Sequence, residues 1–168
     1  MTEPLLPLIG EPGDLYAALD SPNLLLLDLN VPEVYSAGHI SGAVNFPFST
    51  LLGPKPPAMG LIAPAAQLSD VFSAMGINPD RHVVAYDSEG TGKACRLLWT
   101  LDVVGHTKFS LLNGGLPAWC AEGLPVEQTP CDPISSEYKV SVSPERIADK
   151  QYILANLENE DVVVLDCR

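Results

Sequence analysis

The sequence is short of basic residues. It has 9 lysines and arginines against 21 aspartates and glutamates in 168 residues, a formal net charge of −12. Such an excess of negative charge repels nucleic-acid phosphates and anionic lipid headgroups, so we expect neither nucleic acid nor a membrane as a partner. The three histidines, His39, His82 and His106, are too far apart for a metal-ligand pattern. We therefore expect no metal and no other cofactor.

Long apolar runs are also absent. The longest one, residues 23–29, falls well short of the roughly 20 residues that a membrane-spanning helix needs. The first residues carry an early acid, Glu3, and no positively charged region, which is not the pattern of a signal peptide. These features predict a cytoplasmic protein.

Paired cysteines are lacking. Cys95, Cys120, Cys131 and Cys167 have irregular spacings that form neither a CxxC motif nor a disulfide framework. In a reducing compartment they should be free thiols. Because an intracellular cysteine can also be a nucleophile, each must be weighed against its place in the fold.

Short apolar runs alternate with helical patterns along the chain. Strands are predicted at 5–9, 23–29, 43–46, 82–87 and 108–115. Helices are predicted at 13–19, 65–75, 93–104 and 116–121. This alternation predicts an α/β fold with a mainly parallel sheet and helices on both faces. Ligands of such sheets bind at the carboxyl ends of the strands, which points to the loop after 82–87.

The composition changes after Val126. Residues 127–137 are polar and hold two prolines, which indicates a linker. A helix is predicted next, with Ser143 as its N-cap and Pro144 in its first turn. The last residues, 161–168, have the composition of a buried strand, which must pair with this sheet or belong to a further domain.

Two blocks, 24–47 and 82–126, carry a set of motifs in a fixed order. The motifs are Asp28, Tyr35, the Gly-His-Ile-Ser-Gly-Ala segment at 38–43, the loop that starts at Asp87, and Gly114-Gly115 with Trp119. In these motifs the chain resembles the rhodanese family. The resemblance implies a five-stranded, mainly parallel rhodanese sheet with helices on both faces.

The resemblance also implies a chemistry for the loop. In rhodanese domains a thiolate at the start of this loop attacks a donor sulfur and holds it as a persulfide, facing backbone N–H groups and a helix N-terminus. Here that position is Asp87, which cannot form a persulfide. We therefore expect no catalytic residue and an inactive version of the active-site loop at 87–96. Its residues of interest are Asp87, Ser88, Glu89, Gly90, Thr91, Gly92, Lys93 and Arg96.

The nearest resemblance is to the first, non-catalytic domain of tandem-domain thiosulfate or 3-mercaptopyruvate sulfurtransferases. It implies a rhodanese-like domain at 1–127, a linker with a helix at 128–160, and the first strand of a second, truncated domain at 161–168. The partners implied are the missing catalytic domain and, in the intact protein, a small sulfur donor that Arg168 could contact. The unpaired last strand leaves a domain-swapped homodimer open.

Two other roles remain open for the chain. An inactive rhodanese domain could be a stand-alone module that binds or regulates a protein. An unexpected cysteine could instead make a single-domain enzyme. Cys95 falls inside the predicted helix 93–104 rather than in the loop, so a structural thiol is the preferred interpretation.

Phosphate chemistry fits the loop poorly. A Walker phosphate-binding loop needs glycine at position 87 and serine or threonine at position 94, where Asp87 and Ala94 stand. A related phosphatase needs a cysteine six residues before Arg96, where Gly90 stands. We expect Arg96 to pair with Asp28 or Asp87 as a structural anchor.

Three ring residues outside the loop complete the expectations. His39 is expected to be a hydrogen-bonded turn residue rather than a base. Trp119 is expected in the core. Trp99 lies off the apolar stripe of its helix and is a candidate for packing against a partner domain.

Overall fold

The computed structural model describes residues 4–165 and has an α/β architecture. Its elements are β1 (Ile9–Gly10), α1 (Pro12–Ala18), β2 (Leu24–Asp28), α2 (Pro32–Ala37), β3 (His39–Ile40), β4 (Val44–Asn45), a 3-10 helix (Phe48–Leu51), α3 (Ala65–Ala74), β5 (His82–Tyr86), α4 (Gly92–Val103), β6 (Phe109–Leu112), α5 (Gly115–Ala121), β7 (Val126–Glu127), a second 3-10 helix (Pro144–Arg146) and α6 (Lys150–Ala155). No helix in this part of the chain is long and apolar enough to cross a membrane.

Five strands form one parallel sheet in the order β1-β6-β5-β2-β4. β2 and β5 lie side by side, with Asp28 opposite Tyr86. Because all pairs are parallel, every strand ends at the same edge of the sheet. The residues after β2 and after β5 are therefore neighbours at that edge. β3 and β7 form a separate antiparallel pair.

Both faces of the sheet are covered by helices, as predicted. Leu25 and Leu27 of β2 point to the face that α3 and α4 cover. Leu26, between them, points to the opposite face, where it packs with Leu15 of α1 and Trp119 of α5. This alternation places a buried core on each face, and Trp119 lies in one of them as expected.

Several bounds differ from the predictions. β1 was expected over 5–9 but comprises only Ile9–Gly10. Pro7 has no N–H to donate to a ladder, so the segment before β1 cannot pair regularly. β6 ends at Leu112, earlier than predicted, because Gly114 and Gly115 take left-handed conformations that turn the chain into α5.

The first part of the predicted linker 128–160 is packed onto the sheet domain. Residues 131–143, called the strap below, run past α3 and insert Tyr138 and Val140 into the core. The strap backbone is held by α3, since Val140 N–H donates to Ser69 Oγ at 3.0 Å. The core thus includes residues beyond the family-like blocks.

The helix predicted from Ser143 is wrong as one continuous element. A 3-10 turn at Pro144–Arg146 is followed by extended Ile147, and α6 begins only at Lys150. Ser143 makes no side-chain cap. Asp149 caps α6 instead, accepting a hydrogen bond from Tyr152 N–H at 2.8 Å.

The predicted last strand has no partner in the described part of the chain. Residues 162–165 form no strand, and Val163 and Leu165 are each 78% exposed. Cys167 and Arg168 lie outside the described residues.

Candidate active-site loop

Asp87 follows β5 and is buried at the carboxyl edge of the sheet. Its Oδ1 accepts hydrogen bonds from Glu89 N–H at 2.9 Å and Thr91 N–H at 2.8 Å. Its Oδ2 accepts hydrogen bonds from Lys93 N–H and Ala94 N–H, both at 3.0 Å. The loop thus encloses one negatively charged group with four backbone donors, and the enclosed group is the carboxylate of Asp87.

The loop can curl because two consecutive residues are left-handed. Gly90 has φ 86° and Thr91 has φ 69°. Thr91 is the residue before α4, yet its side chain caps nothing there and donates to Gly90 O. Asp87 takes over the capping, because its Oδ2 reaches the first turn of α4, where the helix dipole favours a negative charge. A carboxylate is therefore stabilised where a thiolate would be.

The Gly114-Gly115 motif closes the loop from the other side. Leu116 N–H donates to Asp87 O at 3.1 Å. A Cβ on Gly115 would lie 2.1 Å from that same carbonyl oxygen, and the φ of Gly115 is +58°. Only glycine allows α5 to approach the backbone of position 87 this closely.

Asn30 is a site residue that the sequence reasoning missed. Its Oδ1 accepts a hydrogen bond from Ser88 N–H at 2.8 Å, which ties the end of β2 to the loop. Asn30 N–H in turn donates to Asp28 Oδ1 at 2.7 Å. Burial raises the pKa of Asp28. The signal available in the sequence was an asparagine directly after the predicted central strand 23–29.

The expected pairing of Arg96 with Asp28 or Asp87 is wrong. Its guanidinium carbon lies 4.6 Å from the centre of the Trp99 ring. Within residues 4–165 no carboxylate pairs with it, and its Nε and Nη2 are buried without hydrogen-bond partners. Burial lowers the pKa of Arg96. The Asp87 carboxylate does not pair with Arg96 because each of its oxygens already accepts two N–H groups.

Lys93, the other loop cation, is engaged at the surface. Its Nζ lies 2.9 Å from Glu89 Oε2. Lys93 also lines a cavity of about 530 Å³ at the carboxyl edge of the sheet, beside Asn30, Val31, Phe48 and Met75. The cavity is next to the loop and mostly apolar.

The 38–43 motif fastens the strap instead of contributing to the loop. Tyr35 OH donates to Ala43 O at 2.8 Å and accepts from Cys131 N–H at 2.9 Å. His39 is fully buried, with Nδ1 2.8 Å from Tyr35 O and Nε2 3.2 Å from Thr129 O. The expectation of a hydrogen-bonded His39 is confirmed, although it lies in the short strand β3.

None of the described cysteines occupies the position among the four loop amides, which the carboxylate of Asp87 fills, although Cys95 Sγ lies 4.0 Å from Thr91 Oγ1. Cys95 and Cys120 are exposed on α4 and α5, and Cys131 is partly buried in the strap. Burial raises the pKa of the Cys131 thiol, which makes it a poorer nucleophile. In the described part of the chain, no three His, Cys, Asp or Glu side chains are grouped to hold a metal ion.

Comparison with known proteins matches this architecture to one family. The model of the rhodanese-like domain matches residues 11–122. Thiosulfate sulfurtransferase of Azotobacter vinelandii is 42% identical over 164 residues, and that of Pseudomonas aeruginosa is 39% identical. Both alignments cover 97% of this chain but 60% of the relative.

A solved structure agrees over nearly the whole chain. The 3-mercaptopyruvate sulfotransferase SseA of Escherichia coli aligns with a TM-score of 0.85 and 24% identity, over 99% of this chain and 66% of that one. The chain thus spans about 60% of the length of the thiosulfate sulfurtransferases that it resembles. The matched domain, the parallel sheet and the loop around position 87 place the chain in the rhodanese family.

Proposed function

We propose that this chain is the first half of a two-domain sulfurtransferase of the thiosulfate type, and that this half does not carry the transferred sulfur. The observation that carries the proposal is the carboxylate of Asp87, which occupies the four-amide site of the loop. The coverage of about 60% of the thiosulfate sulfurtransferases supports a further domain in the intact protein. The role of this half is structural: it packs against the catalytic domain and forms one wall of the cleft.

The reaction proposed for the intact protein has two steps. A thiolate of the second domain attacks the outer sulfur of thiosulfate, the S–S bond breaks, and sulfite leaves with the electron pair. Cyanide then attacks the terminal sulfur of the persulfide, the S–S bond breaks, and thiocyanate leaves as the thiolate is restored; a thiolate acceptor would instead leave as a new persulfide. Asp87 has no sulfur to enter either step.

A second donor, 3-mercaptopyruvate, is suggested by a separate observation. The 3-mercaptopyruvate sulfurtransferase of Escherichia coli is 28% identical over 141 residues. The higher identity to thiosulfate sulfurtransferases favours thiosulfate. We keep the mercaptopyruvate activity as the alternative for the intact protein.

An internal repeat supports a second domain of the same kind. The start of α6 lies 138 positions after the start of α1 (150 − 12), and residue 162 lies 138 positions after the start of β2 (162 − 24). At this offset the sequence LLLLD of β2 matches VVVLD at 162–166. A helix of similar length thus precedes the same kind of apolar run in both places.

Backbone hydrogen bonds repeat at the same offset. The helix bond Leu15 N–H to Glu11 O, 3.1 Å, matches Ile153 N–H to Asp149 O, 3.0 Å. The turn bond Leu24 N–H to Ser21 O, 3.1 Å, matches Val162 N–H to Asn159 O, 3.0 Å. The two segments therefore share local structure as well as composition.

The apolar runs of the two segments differ in burial. Leu25, Leu26 and Leu27 are 5%, 3% and 0% exposed, whereas residues 163, 164 and 165 are 78%, 54% and 78% exposed. A run of this kind needs sheet neighbours on both sides to be buried. We infer that 149–165 is the first helix–strand unit of the second domain, which moves its start from 161 to 149. At the same offset Arg168 corresponds in sequence to Asn30 (30 + 138), and its contact with the sulfur donor of the intact protein is part of this proposal.

The test of this proposal is turnover. The 168-residue chain is incubated with thiosulfate and cyanide, and thiocyanate is measured. We expect no thiocyanate above the protein-free background, because no described thiol lies among the loop amides. The Cys95→Ser variant serves as the matched control and should give the same background. Turnover by the chain that Cys95→Ser abolishes would establish the single-domain enzyme instead.

A further inference from the structure

A second polar cluster lies at the opposite end of the sheet from the loop. His82 begins β5 and is 2% exposed. Its Nδ1 lies 3.3 Å from Leu5 N, and its Nε2 lies 2.8 Å from Ser110 Oγ. Ser110 Oγ lies 2.5 Å from Pro7 O. His82 and Ser110 thus connect two points of the N-terminal segment to the central strands.

These contacts form one chain of hydrogen bonds from Leu5 N through His82 and Ser110 to Pro7 O, called the relay below. The groups at its two ends fix the direction of each bond. The N–H of Leu5 can only donate, so Nδ1 of His82 must accept. The carbonyl of Pro7 can only accept, so the single hydroxyl proton of Ser110 goes to it. Ser110 Oγ therefore accepts from Nε2–H, and the ring is neutral with its proton on Nε2. A proton added at Nδ1 would face another donor.

The surroundings of His82 disfavour its charged form. The ionisable groups that face it are His106, in the turn after α4, and Lys108, just before β6. Neither carries negative charge, and within residues 4–165 no carboxylate lies within ion-pair distance of the His82 ring. Burial, with those two groups, lowers the pKa of His82 to about 4.

The relay holds residues 5–10, the N-terminal segment, which few other contacts fix to the sheet. β1 is a two-residue edge strand, joined to β6 through Leu111 N–H to Leu8 O and Asn113 N–H to Gly10 O. Leu8 is 64% and Ile9 is 56% exposed, so burial contributes little to holding them. Leu6 is the buried apolar residue of this stretch.

We propose that the His82–Ser110 relay is an acid-sensitive latch that holds the N-terminal segment and the edge strand β1 on the sheet. Protonation of His82 replaces the acceptor that faces Leu5 N–H with a donor. The segment then separates from β6 while the central strands stay paired. This is a property of the domain itself and does not depend on the proposed sulfur chemistry.

The pH window follows from the lowered pKa. When the segment detaches, His82 stays in β5 but loses the cover of Leu5 and Pro7, so its pKa rises from about 4 toward the ordinary value of 6.5 and the detached state binds more protons in this range. The latch is at full strength above pH 6.5 and weakens as the pH falls toward 4. With the pKa of His82 fully restored to 6.5, the limiting case, the detached fraction at pH 4.5 is raised roughly fifty-fold over neutral pH.

Amide hydrogen exchange, followed by NMR on the 168-residue chain, tests the latch. We expect protection factors of the Leu111 and Asn113 amides to fall by at least about tenfold between pH 7 and pH 4.5. The Leu29 and Phe46 amides, which bond to Tyr86 O and Asp28 O at the far edge of the sheet, should keep theirs. A parallel fall of Leu29 and Phe46 would mean global unfolding and would overturn the proposal.

Two variants separate the relay from other acid effects. Glutamine at position 82 can accept from Leu5 and donate to Ser110 without titrating, so His82→Gln should remove the pH dependence of Leu111 and Asn113. The same pH dependence in that variant would overturn the proposal. Ser110→Ala should lower the protection of these two amides at pH 7 and leave Leu29 unchanged. Full protection in Ser110→Ala would contradict the latch even if His82→Gln did not fold.

Discussion

Replacing Asp87 with alanine is expected to lower the free energy of unfolding by about 3–4 kcal/mol. The carboxylate accepts four backbone N–H groups, and a buried donor left without its partner costs roughly 1–3 kcal/mol. The losses are not additive, because Glu89 is exposed and water can reach that side of the loop. The total therefore stays below the sum of four such losses.

Urea denaturation, followed by circular dichroism, measures this effect. The matched control is Glu89→Ala, which removes a nearby carboxylate whose ion pair within residues 4–165 is a surface contact with Lys93. That variant should change the free energy of unfolding by less than about 1 kcal/mol. A loss below about 1 kcal/mol for Asp87→Ala would contradict the claim that this carboxylate organises the loop.

The second large effect is seen when the same substitution is made at two positions that are equivalent in the repeat. Leu27→Ala is expected to cost about 3 kcal/mol, because Leu27 is fully buried at the centre of the sheet. Leu165→Ala, at the equivalent position of the second segment, is expected to cost less than about 0.5 kcal/mol, because Leu165 is 78% exposed. The same chemical change thus has costs of very different size at two places in one chain.

Both variants are compared with the unchanged chain by urea denaturation at low protein concentration. Low concentration matters because an exposed apolar segment can mediate association between copies, including the domain-swapped dimer left open above. A cost of 2 kcal/mol or more for Leu165→Ala would mean that 162–165 is part of the first domain's core. That result would contradict the proposed start of the second domain at residue 149.

The sequence predicted the parts of the fold that depend on local patterns. Alternating apolar runs and helical stripes located the central strands and α3, α4 and α5 within a few residues. The resemblance of the loop to that of rhodanese domains also implied that Asp87 lies among backbone N–H donors at a helix N-terminus. The mainly parallel sheet and the place of the loop were therefore accessible without coordinates.

The parts that the sequence could not predict depend on long-range contacts. Tyr138 and Val140 follow a polar, proline-containing stretch, and their alternation with Lys139 and Ser141 indicates a half-buried segment but not that it inserts beside α3. The predicted pairing of Arg96 was wrong because the Asp87 carboxylate already accepts four N–H groups of its own loop. The Arg96 guanidinium instead lies over the ring of Trp99. Asn30 was missed because its link to Ser88 joins residues 58 positions apart.

The most direct test of the central claim is whether this chain can hold a transferable sulfur. The unchanged chain and the Asp87→Cys variant are incubated with thiosulfate, and their intact masses are measured before and after addition of cyanide. The account predicts that the unchanged chain gains no sulfur. It predicts that the variant gains one sulfur atom at position 87, held by the loop amides, and loses it to cyanide. A sulfur that is gained by the unchanged chain and released by cyanide would contradict the account.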